Sequence, residues 1–203
     1  MRPRPERLVF LPGAGGDAAF WKPLADRLEH RGERVLLGWP GFGPNAGRAD
    51  VQSLDDLYRL VVDVIDRPVD LIAQSMGGVL AVRAALDLPA LVCHLVLAAT
   101  SGGIDVRRFG AADWREQRRR ERPDEPPWFA HDRTDLEARL RDVTAPTLLL
   151  WGDADAVSPV AVGEHLARTL PYAHLVVIPG GDHAFARDRA FEIAPHVDRH
   201  VSV

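Results

Sequence analysis

Three short stretches of the chain hold the residue types that nucleophilic catalysis needs: AQSMGG around Ser75, GDADAVSP with Asp153 and Asp155, and PGGDHAF around His183. A serine hydroxyl is a weak nucleophile. It becomes reactive when a base lies in hydrogen-bond reach and a third group orients that base. The chemistry would be attack of Ser75 on a carbonyl carbon, with a histidine taking the proton. Ala73-Gln74-Ser75-Met76-Gly77 follows the G-x-S-x-G pattern, with the smallest side chain bearing a Cβ at its first position. Bulky residues at either end of that pattern would clash in the strained turn. The apolar run VDLIAQ before it and the helical pattern GGVLAVRAALD after it supply the required strand-to-helix setting. The competing reading is a serine that only caps the start of a helix.

Eight histidines compete for the role of base. His30 and His165 fall on surface helices, His196 and His200 on a terminal helix, and His131 in a polar excursion. His94 and His174 begin apolar strands, at the end opposite the strand-carboxyl face. His183 follows the last apolar run, HLVVI, which puts it in a loop on the same face as Ser75. Of the two acids after TLLLW, Asp155 fits G-x-x-D-x-x-x-P from Gly152 to Pro159, while Asp153 can shape the turn through its side chain. The bland alternative has both acids shaping the loop. Backbone N–H groups must also face the negative charge that develops on the carbonyl oxygen. Met76, at a helix N-terminus, offers one. Ala14, in the glycine-rich LPGAGGDAAFW, is the candidate for the second. That loop has no G-x-x-x-x-G-K-[ST] and no lysine before Lys22, so a phosphate cradle does not fit.

The elements that must position these groups are legible as short apolar runs, each leading into a loop and usually a helical pattern. They are LVFL (8–11), RVLLGW (34–39), VDLIAQ (69–74), HLVLAA (94–99), TLLLW (147–151) and HLVVI (174–178). Runs without polar alternation indicate strands covered on both faces, joined by crossover helices. The expected fold is α/β: a three-layer sandwich with a mostly parallel sheet of about six strands. Helical patterns are expected at FWKPLADRLEHRG, SLDDLYRLVVDVIDR, GGVLAVRAALD and VGEHLARTL. Residues 101–141 contain no strand pattern and are expected to form an excursion over the sheet end, either a short lid or a mobile loop. Their arginine-rich run 115–122 reads as a solvated helix face, beside Asp124 and Glu125. Trp114, Trp128 and Phe129 would fasten this lid to the body, with substrate contact as the other reading.

Composition narrows the class. A chain of 203 residues with 46% hydrophobic and 27% charged residues suits one globular domain spanning 1–203. A net charge of −4 provides no general attraction to nucleic acid or acidic membranes. The start, MRPRPERLVFLPGAGG, has too few apolar residues before Pro12 for a signal-peptide core, and no membrane span is expected. The single cysteine, Cys93, sits in an apolar run, so it reads as a buried inert thiol in a cytoplasmic protein. There is no H-E-x-x-H or other tight ligand spacing, and neither a metal nor a cofactor is expected. The residue pattern carries no oligomer signature.

LPGAGGDAAFW, GWPGFG, AQSMGG, LLLWGDADAVSP and PGGDHAF, in this order, make the chain similar to the α/β-hydrolase-fold family of esterases and thioesterases. The resemblance implies nucleophile Ser75, acid Asp155, base His183 and oxyanion donors Ala14 and Met76. Three departures stand out. Pro12-Gly13 replaces the usual His-Gly, and Trp39 stands where an aspartate usually precedes Pro-Gly. The N-terminal antiparallel strand pair is expected to be missing, because only seven residues precede LVFL. A serine nucleophile favours acyl transfer over the dehalogenase and epoxide branches that use aspartate. The leading expectation is cofactor-free hydrolysis of a carboxylic ester in a small-molecule acyl substrate. Thioesterase, lactonase and triad-based lyase activity are alternatives, and a non-catalytic binding protein is the alternative of a different class. Trp39, Phe42, Trp114 and Trp128 are the expected apolar substrate contacts, with packing as their other role.

Overall fold

A computed structural model describes residues 5–202. Six strands form one sheet: β1 (Arg7–Leu11), β2 (Glu33–Leu36), β3 (Val69–Gln74), β4 (Val92–Ala98), β5 (Thr147–Gly152) and β6 (Ala173–Ile178). Their order is β2-β1-β3-β4-β5-β6, and every neighbouring pair is parallel. Each expected apolar run is a strand, within a residue or two at its ends apart from RVLLGW, which stops as a strand at Leu36. β3, β4 and β5 are buried at every residue, as unalternating sequences require.

The layers follow from side-chain alternation. In β1, Val9 and Leu11 join a core with helices α2 (Leu54–Val62), α3 (Met76–Asp87) and α5 (Val160–Thr169). Leu8 and Phe10 point to the other face, where α1 (Lys22–Ala25), α6 (Phe185–Asp188) and α7 (Ala190–Val201) pack. Among the described residues, no helix is long and apolar enough to cross a membrane.

Local chemistry sets where the helices begin and end. Ser53 caps α2: its Oγ accepts from the Asp56 N–H at 3.2 Å, while Asp56 Oδ2 accepts from the Gln52 N–H at 2.9 Å. The pattern FWKPLADRLEHRG is helical only as a 3-10 turn, Ala18–Trp21, followed by the four residues of α1. The reason lies in β2, where the Arg34 guanidinium donates to the carbonyls of Ala25, Leu28 and His30. Those carbonyls are taken by a side chain from the following strand, so the chain turns instead of extending the helix.

At the opposite end of the sheet from the catalytic-type loops lies a buried polar group. Asp70 on β3, fully buried, hydrogen-bonds His94 Nδ1 at 2.8 Å. The His94 ring meets the edge of His200, whose Nε2 donates to the carbonyls of Leu95 (3.0 Å) and Pro146 (3.2 Å). Burial, then the neighbouring His94, pushes the His200 pKa down to about 4. Its native pKa is below the unfolded value, so its stabilisation is full above about pH 6.5 and is lost as pH falls toward about 4. Burial holds the Asp70 carboxyl above the usual carboxylate range, which opposes this loss at the acidic end. Between pH 7 and pH 5, the thermal midpoint of the wild type is expected to fall more steeply than that of His200→Gln. The difference corresponds to about 1 kcal/mol, because a shift from about 6.5 to about 4 gives about 2 kcal/mol over this interval and partial solvation of the ring reduces it. Parallel slopes for the two proteins would contradict the assignment.

Candidate active site

The loops after β1, β3, β5 and β6 converge at the carboxyl edge of the sheet. Ser75 sits between β3 and α3 at φ 51° and ψ −120°, in the left-handed half of backbone space that a serine adopts only when its surroundings force it. Close packing does the forcing. A Cβ on Gly77 would lie 2.5 Å from the Pro12 carbonyl oxygen and 2.6 Å from that of Leu11, so only glycine lets α3 start this close to β1. The Ser75 N–H donates to the Ala98 carbonyl at 3.0 Å, and Thr100 Oγ1 donates to the Ser75 carbonyl at 2.6 Å. Ala73 is fully buried at the first position of the turn, and its methyl is accommodated. The Ser75 side chain makes no capping hydrogen bond to α3, so the helix-cap alternative does not describe it.

Ser75 Oγ instead faces His183. Its distance to Nε2 is 3.1 Å, and His183 Nδ1 lies 2.7 Å from Asp155 Oδ2. Asp155 is buried, and its other oxygen accepts from the N–H groups of Val157 (2.8 Å) and Ser158 (3.0 Å), which locks the carboxylate in place. The Asp155 and His183 loops are clamped together. A Cβ on Gly152 would meet the Gly181 carbonyl oxygen at 2.1 Å, and the Ala154 N–H donates to that same oxygen at 3.0 Å. Asp153 belongs to the clamp, its Oδ1 accepting from the Gly180 N–H at 2.5 Å. The histidine loop is tied to the nucleophile strand as well, since Gln74 Nε2 donates to the His183 carbonyl at 3.1 Å.

His131 shares a cavity wall with Ser75 and His183, and three other histidines are partnered elsewhere. His94 pairs with Asp70, His165 with Glu137, and His200 with two strand-end carbonyls. Among the described residues, the N–H groups of Ala14 and Met76 donate to no acceptor, and both residues lie beside Ser75 in cavity walls. One cavity, of about 580 Å³, runs between Ser75, His183 and the 101–141 segment, with Trp114 and Trp128 in its wall. A second, of about 570 Å³, lies between the Gly13–Ala19 loop and α4 (Trp114–Glu121), and it shares Ser75, Trp114 and His183 with the first.

Two expected substrate contacts are corrected. Trp39 and Phe42 are fully buried and line neither cavity. Trp39 Nε1 donates to the Pro12 carbonyl at 2.9 Å and holds the glycine-rich loop from behind. Phe42 packs edge-on against Trp128 and Phe129. The expected solvated face of α4 is corrected in part. Arg119 and Arg120 are exposed, but Arg118 turns inward, donating to the Ala14 carbonyl at 2.7 Å and pairing through two nitrogens with the buried Glu125 at 2.7 and 2.8 Å. Sequence reasoning missed this latch. Its only trace is an arginine and a glutamate seven residues apart in a run that otherwise looks surface-exposed.

A doubly wound parallel sheet carrying a hydrogen-bonded serine, histidine and aspartate on the loops at its carboxyl edge defines the class of the α/β hydrolases. The chain belongs to the alpha/beta hydrolase family, whose profile matches residues 8–137, and residues 115–200 also match a profile described as TAP-like protein. It is 28% identical to the provisionally named carbamate hydrolase RutD of Variovorax paradoxus, over 88% of this chain and 85% of that protein. It is 25% identical to the pimeloyl-[acyl-carrier protein] methyl ester esterase of Nitrosomonas europaea, over 87% and 88%. Its fold matches that of a thermophilic esterase from Thermogutta terrifontis with a TM-score of 0.77 and 23% identity, covering 100% of this chain and 92% of the other.

Proposed function

We propose that the protein is a serine hydrolase that cleaves a carboxylic ester through an acyl-enzyme. The observation that carries this reading is the unbroken relay from Ser75 Oγ through His183 to the locked, buried Asp155, with hydrogen-bond distances of 3.1 and 2.7 Å. Ser75 Oγ attacks the ester carbonyl while its proton passes to His183 Nε2. Asp155 accepts from Nδ1–H, which fixes the tautomer and stabilises the imidazolium. The N–H groups of Ala14 and Met76 stabilise the oxyanion, and the positive end of α3 assists. His183 then protonates the departing alcohol and activates a water that hydrolyses the acyl-enzyme. A methyl ester esterase among the relatives supports ester chemistry, and a carbamate hydrolase among them supports attack on a carbamate carbonyl as the second reading. In this reading, 101–141 is a short lid within one hydrolase domain.

The test is a panel of p-nitrophenyl esters of graded chain length, run beside acyl-thioesters. Turnover of esters that depends on Ser75 is expected, and none on any acyl compound would favour a binding protein.

The Arg118 latch ties the lid to the oxyanion loop, and its removal has a separable signature. Arg118→Met strands the buried Glu125 carboxylate, an expected cost of about 3–5 kcal/mol in stability. Replacing Glu125 as well, with leucine, is expected to restore stability. It is not expected to restore kcat, which stays about tenfold low because nothing then holds the Ala14 carbonyl. Thermal melts and ester kinetics on both variants check this, and recovery of kcat in the double variant would contradict it.

A further inference from the structure

Helix α4 stands between the two cavities. At about 3.6 residues per turn, Trp114, Gln117, Arg118 and Glu121 share one side of it, and all four line the second cavity. Arg115, Glu116 and Arg119 occupy the opposite side and line the larger one. Trp114 is the helix residue that borders both. Among the described residues, the rest of the shared border is Ser75, His183 and Val157, so Trp114 is what the lid contributes at the reacting groups.

Three contacts hold this tryptophan in place. Its ring stacks on the buried Phe129, with centroids 5.9 Å apart and 15° between the planes. Two residues before it, the Ala112 N–H donates to the Ala156 carbonyl at 2.9 Å, in the loop that carries Asp155. One turn after it, Arg118 donates to the Ala14 carbonyl. α4 is thus tied to the acid loop at its start and to the oxyanion loop along its inner side, which makes Trp114 a fixed wall.

The two oxyanion donors fall on different sides of that wall. Met76 borders the larger cavity alone, and Ala14 the second alone. A carbonyl oxygen held between them sets the reacting carbon at the junction, with the two portions of an ester directed into different cavities. Leu54, Met76, Val79 and Ile104 give the larger cavity an apolar stretch that begins at the residue after Ser75 and suits methylene groups. The second is walled by the Gly13–Gly16 backbone and by Gln74, Gln117 and Glu121, which suits the alcohol portion.

We infer that Trp114 is the partition that sets specificity: it separates an acyl-chain cavity from an alcohol cavity and excludes branches on the carbon at either side of the ester group. This inference rests on the ester-hydrolase reading.

The test measures kcat/KM on two pairs of esters. One pair, p-nitrophenyl butyrate and isobutyrate, differs by a branch on the acyl side. The other, n-propyl and isopropyl butyrate, differs by a branch on the alcohol side. The wild type is expected to prefer the unbranched member of each pair by about 10- to 100-fold, the range that one methyl group spans in a shaped pocket. Trp114→Ala is expected to bring both preferences within about threefold, and Trp114→Phe to keep most of both. A merely structural tryptophan would instead lower all four values alike and leave the ratios unmoved. Gln117→Trp fills the second cavity from an exposed position. It is expected to lower kcat/KM on n-octyl butyrate about tenfold relative to methyl butyrate, and to leave the ratio of p-nitrophenyl octanoate to acetate unchanged. The wild-type ratios and Gln117→Trp remain decisive even where Trp114→Ala does not fold. Wild-type ratios near one, ratios that survive Trp114→Ala, a change on one side only, or a Gln117→Trp effect confined to the acyl series would overturn the inference. Failure of the hydrolase reading looks different, because then none of these esters is turned over.

Discussion

Ser75→Ala is expected to lower kcat/KM on the best ester substrate by about 10⁴- to 10⁶-fold while leaving the thermal midpoint nearly unchanged. The size of the loss follows from the geometry. Ser75 Oγ is the one hydroxyl facing His183 Nε2, at 3.1 Å, and removing it leaves only the oxyanion donors and the cavity to assist water. Stability is spared because Oγ makes no hydrogen bond that holds the turn. The Ser75 backbone does that, through Ala98 and Thr100. Ester kinetics and a melt on the same preparation separate the two effects. A loss under about tenfold would mean that Ser75 is not the nucleophile.

The second large effect distinguishes two acids on one loop. Asp155→Asn is expected to reduce kcat by about 10⁴-fold, because an amide cannot serve as the charged acceptor for Nδ1–H, and the imidazole settles in the wrong tautomer. Asp153→Asn is expected to stay within about threefold of wild type. Asparagine keeps an oxygen for the Gly180 N–H, which is the contact Asp153 makes. Comparable mild losses in the two variants would remove Asp155 from the relay.

Much of this arrangement is visible in the chain before any coordinate is consulted, and the reasons are physical. A strand buried on both faces must be apolar throughout, so LVFL and VDLIAQ announce themselves. Parallel order places every loop after a strand on one edge, and this isolates His183 from seven other histidines. The Asp153–Asp155 distinction rests on where each side chain points, and the structure supplies the distances: Asp155 toward His183, Asp153 toward Gly180. Aromatic residues in loops carry no such directional signal. Trp39 and Phe42 look like pocket walls in sequence but pack behind the loops, whereas Trp114 and Trp128 do reach the cavity. The short first helix and the Arg118–Glu125 latch escaped for one shared reason. Each depends on an arginine side chain of another element reaching a loop carbonyl, Arg34 to Ala25 and Arg118 to Ala14, and neither contact leaves a periodic pattern in the sequence.

Ester hydrolysis at this site requires Ser75 to be an activated nucleophile, and covalent trapping reads that property without knowledge of the substrate. Intact mass after brief exposure to a fluorophosphonate is expected to show one adduct, mapped to the peptide that contains Ser75. Ser75→Ala should show none, and Asp155→Asn should label far more slowly than wild type. An unmodified wild-type protein, or an adduct that persists in Ser75→Ala, would contradict it.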